Sequence, residues 1–411
     1  MSKEFDAMLT LFGDVAQGRK SVLKEPIKIE NILRISEKHS CYYLVALAIK
    51  ENECFNLSDS LQKTLLSRLE IGYSFNISRY SFCLKIFEEL NKNDIKYVCL
   101  KGYSVYPLYK NAFYRISGDI DLLINEKDEK KTKKILYKFG FKIEEDRIKY
   151  THHSRLKHPV YGLLELHTKL FEDDVTNIWF ASKNGALYID TTPFQCEQYK
   201  MYILLPCSQI LQLFFHLAKH FIEGGLSIRA MMDFVLATKK YHKVIDFRII
   251  RRKIKESGME PFYDAIMSFM VEYCGIDKKS LPKYNEATQS QILLIYKDLE
   301  TGTWIGRNNM NSRLAMKKFA DKKRKLLNIS NKQTILKRDF KSQVRRIFPH
   351  KYPLAKKYPF IKKYAFLYPI AVLLRVINYI FKQKKQKEII SCIIRENDIY
   401  RINLFKEMKI L

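Results

Sequence analysis

The run Ser-Gly-Asp-Ile-Asp-Leu-Leu-Ile, residues 117–124, decides the fold expected for this chain. Its aliphatic residues predict a β-strand, yet Asp is depleted from strands, so two aspartates inside the run need a compensating reason. Asp119 and Asp121 are two residues apart, so their side chains share one face, about 7 Å apart along the strand. Ile120 and Leu122 then face the core. Divalent cations are the usual compensation, and a third carboxylate on a neighbouring strand would complete their site.

A second stretch follows the same alternation. In Leu-Glu-Leu-His, residues 164–167, Glu165 and His167 share one face of a strand and the leucines share the other. Mg²⁺ prefers oxygen ligands, takes one or two carboxylates from a protein and fills its octahedron with water and substrate phosphates. Two such ions roughly 4 Å apart clamp the attacking and leaving oxygens of an in-line phosphoryl displacement. The pattern therefore indicates phosphoryl chemistry.

A strand, a turn and a short helix precede these stretches. Residues 94–100 predict the strand, Lys101 and Gly102 its turn, and residues 103–109 a helix that Pro107 keeps short. Glycine at such a junction lets backbone amides approach a phosphate, and the helix N-terminus adds favourable partial charge. The junction is thus a candidate nucleotide-binding turn.

The order of these motifs resembles that of a known superfamily. Leu-Lys-Gly at 100–102, Arg115, Gly-Asp-Ile-Asp-Leu-Leu at 118–123 and Glu-Leu-His at 165–167 are similar to the polymerase-beta-like nucleotidyltransferases. The resemblance is closest to the uncharacterised nucleotidyltransferase family of bacteria, often met in cell-surface polysaccharide and peptide-modification gene neighbourhoods, and covers most of the chain. It implies an α+β fold, with a small mixed sheet embedded between N-terminal and C-terminal helical regions.

The resemblance also implies roles for the polar residues. Asp119, Asp121 and Glu165 would hold two Mg²⁺ ions. Glu165 or His167 would accept the proton of the acceptor hydroxyl. An NTP is the implied substrate, and its phosphates would be bound by residues of the turn and of the approach to the Asp-x-Asp strand: Lys101, Gly102, Ser104, Arg115 and Gly118.

The chain departs from the superfamily at the glycine turn. Gly102-Tyr103 stands where Gly-Gly or Gly-Ser is usual. Tyrosine cannot supply the short hydroxyl contact to the terminal phosphates that serine supplies, so Ser104 or Lys101 would have to replace it. This departure therefore affects the prediction of nucleotide binding more than it affects the prediction of the metal site.

Helical patterns surround the predicted core. Apolar residues at helical spacing predict helices over 29–49, 61–69, 80–90, 210–221, 228–238 and 266–273. Between these groups, the pattern predicts a helix over 129–139 and strands over 141–144 and 161–167. We expect an N-terminal helical region (1–93), a nucleotidyltransferase core (94–198), a helical domain (199–300) and a basic C-terminal region (301–411).

Composition narrows the class of protein. With 411 residues and 47% apolar side chains, the chain can build two or more cores and is not a disordered protein. Its eight cysteines contain no Cys-x-x-Cys pair, so zinc ribbons, redox motifs and a secreted disulfide framework are unsupported. The first residues include acids and no apolar segment typical of export signals. A cytoplasmic protein with reduced, buried thiols is expected.

Two residue pairs on the later helices are candidates for an acceptor pocket. His216 and His220 are four residues apart, a spacing that can bind zinc, but the metalloprotease Glu is missing after the first His. A structural or substrate-lining role is favoured over metal. Arg229 and Asp233 have the same spacing, and an ordinary helix ion pair worth ~0.2–0.5 kcal/mol is slightly favoured over a part in the acceptor or nucleobase pocket.

Three further histidines flank a predicted loop near Glu165. His152, His153 and His158 offer a phosphate contact or a general base there. Histidines in loops are commonly exposed, so simple exposure is favoured over either role.

The positive charge is concentrated in one segment. Residues 313–387 contain 23 Lys or Arg and two Asp residues, so 21 of the 29 net positive charges fall there. Prolines and aromatic residues interleave with the basic ones, and residues 370–381 predict an amphipathic helix. Binding to an anionic membrane surface on the inner leaflet, RNA binding and packing against the domain with a solvated lysine face all remain open. A transmembrane helix is disfavoured because polar residues intrude.

The first functional hypothesis is Mg²⁺-dependent transfer of a nucleoside monophosphate from an NTP to an acceptor hydroxyl, with release of pyrophosphate. One alternative is a weakly or non-catalytic accessory protein, bound to the membrane surface during polysaccharide biosynthesis. Another is a toxin-like enzyme that modifies the acceptor end of tRNA. Sequence patterns specify neither the acceptor, nor the preferred base, nor the oligomeric state.

Overall fold

The computed structural model describes residues 2–21, 23, 27–52, 55–146, 153–171, 189–223 and 225–300, together with 358, 368–374 and 407–408. The chain forms two compact units, one of Met1–Met316 with Leu404–Leu411 and the other of Lys317–Asn403. In the second unit, residues 368–374 begin the predicted amphipathic helix, and Ala371 and Val372 are buried with Tyr358 and Tyr368 packed against them. Most of the basic segment 313–387 lies outside the described residues. Within the described part of the chain, no helix combines the length and apolar composition that crossing a membrane requires.

Helices form the first part of the larger unit: α1 (Lys3–Ala16), α2 (Ile29–Lys38), α3 (Tyr42–Lys50) and α4 (Asp59–Lys92). The helix predicted over 29–49 is therefore two helices, separated where Ser40 has a φ of 55°. The stretches predicted over 61–69 and 80–90 belong to one helix of 34 residues, α4, whose N-cap is Ser58. Both corrections concern where the helices begin and end. The stretches whose apolar residues have helical spacing are helical, as predicted.

The larger unit contains a five-stranded mixed sheet. Its strands are β1 (Tyr97–Leu100), β2 (Asp119–Ile124), β3 (Lys142–Glu145), β4 (His153–His158) and β5 (Gly162–His167). Their order is β1-β2-β5-β4-β3. β2 runs parallel to β5, and the other neighbours are antiparallel. Helix α5 (Glu129–Lys138) follows β2, and β6 (Pro193–Cys196) pairs with β7 (Met201–Leu204) as a separate antiparallel pair.

Strand β4 corrects one sequence prediction. Residues 153–158, where a loop flanked by histidines was expected, pair with β5 from His153 to His158. Ser154 and Leu156 are buried and Arg155 between them is more exposed, so the strand has the usual period of two. The alternation of apolar and polar residues is weak in this strand because one of its two buried positions, Ser154, is polar.

Five helices complete the described part of the larger unit: α6 (Pro206–Glu223), α7 (Ile228–Tyr241), α8 (Phe247–Glu256), α9 (Glu260–Cys274) and α10 (Gln289–Glu300). Oγ of Ser227 accepts a hydrogen bond from the amide of Ala230 and so caps the N-terminus of α7. Gly275 ends α9 with a φ of 59°, where glycine is favoured.

A close approach joins α1 to α9. A Cβ atom on Gly13 would lie 2.1 Å from the carbonyl oxygen of Cys274, which belongs to the backbone and cannot rotate away. Gln17 and Arg19 strengthen the contact by donating to the carbonyl of Gly275 at 3.3 and 2.7 Å. The N-terminal helices are thus packed directly against the helices that follow the sheet.

Replacing Gly13 by alanine is expected to destabilise the larger unit by about 1–3 kcal/mol, because overpacking forces the two helices apart. Urea denaturation followed by far-UV circular dichroism measures the change. Gly118→Ala is the matched control, since a Cβ there would meet no atom within 4 Å. Equal stability of Gly13→Ala and the wild type would contradict the packing described.

Candidate active site

Three carboxylates lie together on one face of the sheet. Asp121 on β2 is opposite Glu165 on the parallel strand β5. Carboxylate oxygens of Asp119, Asp121 and Glu165 all lie within 4.8 Å of one another. The aliphatic residues between them, Ile120 and Leu164 among others, are buried on the opposite face. The structure therefore brings together the three residues that were predicted from the sequence to be metal ligands.

Lys101 approaches this cluster from the turn after β1. Its Nζ lies 2.8 Å from Oδ1 of Asp121. Its backbone has a φ of 43° and Gly102 has a φ of 27°, so the chain reverses sharply here. A positive φ in a residue other than glycine typically costs about 1–3 kcal/mol and is found at functional sites. The turn directs the lysine side chain into the carboxylate cluster.

His167 makes the second contact to Asp121. Its Nε2 lies 2.9 Å from Oδ1 of that carboxylate. Burial alone would raise the pKa of Asp121, but the Lys101 ammonium and the hydrogen bond from His167 lower it below its usual range. The pKa of Asp119 is raised, by burial and by the negative charge of Asp121. Asp121 is accordingly held as an anion.

The donor set fits magnesium. Three carboxylates within bridging distance of one another supply the hard oxygen ligands that Mg²⁺ prefers. Asp119 and Glu165 are only half-buried, so an ion held there would remain accessible to water and substrate oxygens. Lys101 already neutralises part of the charge, because its ammonium contacts Asp121. The sequence prediction of Mg²⁺ thus has a chemically suitable site.

A cavity of about 310 Å³ opens above the carboxylates. One wall is the sheet face and the turn after β1, and the other consists of α6 and α7. Lys101, Gly102, Arg115 and all three carboxylates line it, as do His167, His216, His220, Arg229 and Asp233. The candidate catalytic residues and the candidate acceptor-pocket residues therefore face the same space.

The two histidines of α6 form a neutral pair. Nε2 of His216 lies 2.9 Å from Nε2 of His220, so the N–H of one ring donates a hydrogen bond to the nitrogen of the other. Burial, aided by the positive charge of Lys101, lowers the pKa of His216 well below its ordinary value and that of His220 to about 4. These rings offer hydrogen bonds to a substrate without adding positive charge.

Arg115 is committed to a buried network. Its Nε donates to Oδ1 of Asp233 at 3.0 Å, and its two terminal nitrogens contact Oδ2 of Asp233 and Oγ of Ser117. The hydroxyl of Tyr109 also donates to Oδ1 of Asp233, at 2.7 Å. Asp233 therefore pairs with Arg115 rather than with Arg229, its neighbour on the helix. The i, i+4 ion pair favoured from the sequence is replaced by one that joins α7 to the core.

Arg229 is placed differently. Its Nη1 donates to the carbonyl oxygen of Ile116 at 2.8 Å, and more weakly to that of Ser40 at 3.4 Å. No carboxylate among the described residues forms an ion pair with it. Burial and the nearby Arg115 lower its pKa. This guanidinium thus faces the cavity with its charge less compensated than that of Arg115.

Of the remaining nucleotide-binding candidates, some line the cavity and others do not. Gly102 lines the cavity, whereas Ser104 is buried and its carbonyl and hydroxyl oxygens accept from the Gln209 amide. The structure therefore does not bring Ser104 to the cavity. Gly118 immediately precedes β2, and its carbonyl oxygen accepts a hydrogen bond from Arg79. Tyr103 turns away from the cavity and packs against Tyr80 and Tyr106.

Arg79 of α4 is a site residue that the sequence did not reveal. Its side chain is 2% exposed, and its guanidinium donates to the carbonyl oxygens of Ser117 at 2.6 Å and Gly118 at 3.2 Å. A longer contact of 3.5 Å reaches Leu163. These carbonyls begin the two strands that carry the carboxylates. Arg79 is therefore a positioning residue, which ties β2 to β5 at the start of their pairing.

Arg79→Met is expected to leave these buried carbonyls without donors, at about 1–3 kcal/mol for each group left unsatisfied. The carboxylates should then lose their spacing, and Mn²⁺ affinity, measured by EPR of the free ion, should fall at least tenfold. Arg79→Lys should recover part of the stability but less of the affinity, because an ammonium cannot reproduce the geometry of the guanidinium.

Arg68→Met provides a control on the same helix. Arg68 pairs with Glu37 at the surface, where an ion pair contributes about 0–1 kcal/mol. Unchanged Mn²⁺ affinity in a folded Arg79→Met protein would exclude the positioning role.

The structure thus has the α+β fold that the sequence predicted, with a small mixed sheet that carries three carboxylates. A family model described as uncharacterised nucleotidyltransferase matches residues 25–275, more than half of the chain. The chain belongs to this family, as its motifs predicted.

The similarity of the chain to solved structures is low. The antibiotic-resistance factor ANT(2'')-Ia matches with 10% identity and a TM-score of 0.33, covering 44% of this chain and 92% of its own. The lincosamide antibiotic adenylyltransferase LnuA, in its lincomycin-bound form, matches with 20% identity and a TM-score of 0.28, covering 38% of this chain and 94% of its own. No curated protein matched.

Proposed function

We propose that the protein transfers a nucleoside monophosphate from an NTP to an acceptor hydroxyl, with release of pyrophosphate. Family membership supports the nucleotidyltransferase class. The observation that carries the proposal is the convergence of Asp119, Asp121 and Glu165 with the cations Lys101 and Arg229 on one cavity. Carboxylates alone would repel a triphosphate, and cations alone would bind it without activating it.

The proposed roles of the individual residues follow from the contacts that their side chains make. Mg²⁺ held by Asp119, Asp121 and Glu165 would neutralise the triphosphate and lower the pKa of the acceptor hydroxyl. Lys101 holds Asp121 ionised and oriented through its 2.8 Å contact. Glu165 or His167 takes the proton of the hydroxyl, since both lie on the cavity wall.

Arg229 is the better candidate for the phosphates. Three nitrogens of Arg115 are hydrogen-bonded to Asp233 and Ser117, whereas one nitrogen of Arg229 is hydrogen-bonded to backbone carbonyls. A guanidinium facing the cavity can bind phosphate oxygens through two parallel hydrogen bonds. In this assignment Arg115 supports the wall, and Arg229 stabilises charge that develops on the leaving pyrophosphate.

The acceptor side of the cavity is assigned to α6. His216 and His220 are neutral and can hydrogen-bond a hydroxyl-bearing acceptor. The polysaccharide or peptide-modification context, the cytoplasmic location and a membrane or RNA contact through residues 313–387 stay predictions of the sequence.

Calorimetric titration of Mg-ATP, Mg-CTP, Mg-GTP and Mg-UTP into the full-length protein tests the proposal. One nucleotide is expected to bind in a magnesium-dependent manner, and an Asp119→Ala, Asp121→Ala double variant should not bind it. An Asp59→Asn variant, changed on the exposed first turn of α4, serves as the control. Absence of binding by a folded wild type would refute the proposal.

A further inference from the structure

A second group of ligand atoms shares Glu165 with the carboxylate cluster. Strand β4 lies beside β5, and His153 is opposite His167 in their register. Nε2 of His153 lies 3.7 Å from Oε1 of Glu165, and Nε2 of His167 lies 3.6 Å from Oε2. Ligand atoms of these three residues all lie within 4.8 Å of one another. The Nε2 atoms of two imidazole rings therefore face the two oxygens of the Glu165 carboxylate.

The separations are closer to those between metal ligands than to those of hydrogen bonds. An N–H···O hydrogen bond is about 2.7–3.2 Å long. Two ligand atoms that each lie about 2.1 Å from a tetrahedral ion are roughly 3.4 Å apart. The separations of 3.6 and 3.7 Å are nearer to this second value, and one ligand atom from each of the three residues lies within 4.8 Å of the other two.

The donor set selects the class of ion. Imidazole nitrogen suits zinc, iron, copper and nickel, whereas sites of oxygen alone suit magnesium and calcium. All three residues also line the cavity, so an ion there would keep positions open for water or substrate. We propose that His153, Glu165 and His167 form a site for a divalent transition-metal ion, adjacent to the carboxylate site and sharing Glu165 with it.

His167 links the two sites. Its Nε2 also lies 2.9 Å from Oδ1 of Asp121, so an ion bound at Nε2 would replace that hydrogen bond. Asp121 would retain its contact with Lys101 at 2.8 Å. Occupancy of the nitrogen-containing site thus alters the surroundings of Asp121 directly.

Pulsed EPR of Cu²⁺ added to the full-length protein, without nucleotide, tests the proposal, because imidazole suits copper. Imidazole ligands couple ¹⁴N nuclei to the copper spin, so the wild type should show this coupling and His153→Gln should show less of it. Calorimetry with Zn²⁺ should show at least tenfold weaker binding by His153→Gln. His158→Gln is the matched control: it lies on the same strand, but its ring packs beside Phe82 and Phe141.

The outcomes separate this site from the proposed function. Cu²⁺ that binds to the wild type without ¹⁴N coupling would overturn the nitrogen-containing site, while leaving a carboxylate site for nucleotidyl transfer. Equal Zn²⁺ affinity of the wild type and a folded His153→Gln protein would overturn it too. Absence of ¹⁴N coupling from the wild-type spectrum would decide against the site even where a variant does not fold. Because no nucleotide is present, failure to bind NTP does not affect the result.

Discussion

Asp119→Asn is expected to reduce magnesium-dependent nucleotidyl transfer by roughly a thousandfold or more, equivalent to about 4 kcal/mol of transition-state stabilisation. The substitution removes a negative charge from the cluster of Asp119, Asp121 and Glu165 and keeps the shape of the side chain. Metal binding would weaken, and the charge on the triphosphate would lose its compensation. Pyrophosphate release, measured with the nucleotide that calorimetry identifies, reports the change.

The fold should survive this substitution. The pKa of Asp119 is raised by burial and by Asp121, so ionising this carboxyl opposes folding rather than favouring it. The thermal unfolding midpoint of Asp119→Asn should therefore equal or exceed that of the wild type. Asp59→Asn, on the exposed first turn of α4, controls for the loss of a surface carboxylate. Full transfer activity in Asp119→Asn would remove this residue from the catalytic assignment.

The sheet face was predictable because its signal is local. The run at residues 117–124 and the run at 164–167 each alternate aliphatic and acidic positions, and an extended chain places such positions on opposite faces. Their pairing in the sheet followed from the family resemblance. The register that puts Asp121 opposite Glu165 required the structure, since a strand of six residues can pair in several ways.

Arg79 and Tyr103 were missed for a different reason. Arg79 is one of many charged residues in α4, and its burial depends on carbonyls about 38 residues further along the chain. Charged helix positions are usually solvated, so the sequence contains no sign of this contact. Tyr103 was interpreted as the loss of a phosphate contact. Its side chain instead fills an aromatic cluster with Tyr80 and Tyr106, and the backbone of Gly102 still lines the cavity.

Asp233→Asn is expected to destabilise the larger unit by about 3–5 kcal/mol, because it leaves the Arg115 guanidinium buried without its counter-charge. Arg115 is 4% exposed, and its Nε and Nη2 both bind the Asp233 carboxylate. Denaturation by urea measures the loss. Asp246→Asn is the matched control, since Asp246 pairs with Arg248 at the surface, where such pairs contribute about 0–1 kcal/mol.

The double variant Arg115→Met, Asp233→Leu separates stability from function. Replacing both members of a buried ion pair by apolar residues is often neutral for stability, so most of the loss should be recovered. Arg229 would then face the cavity beside an apolar wall and retain its hydrogen bond to the carbonyl of Ile116. If Arg229 binds the phosphates, the stable double variant should keep nucleotide affinity within about tenfold of the wild type. A larger loss in a stable protein would return the phosphate role to Arg115, where the sequence had put it.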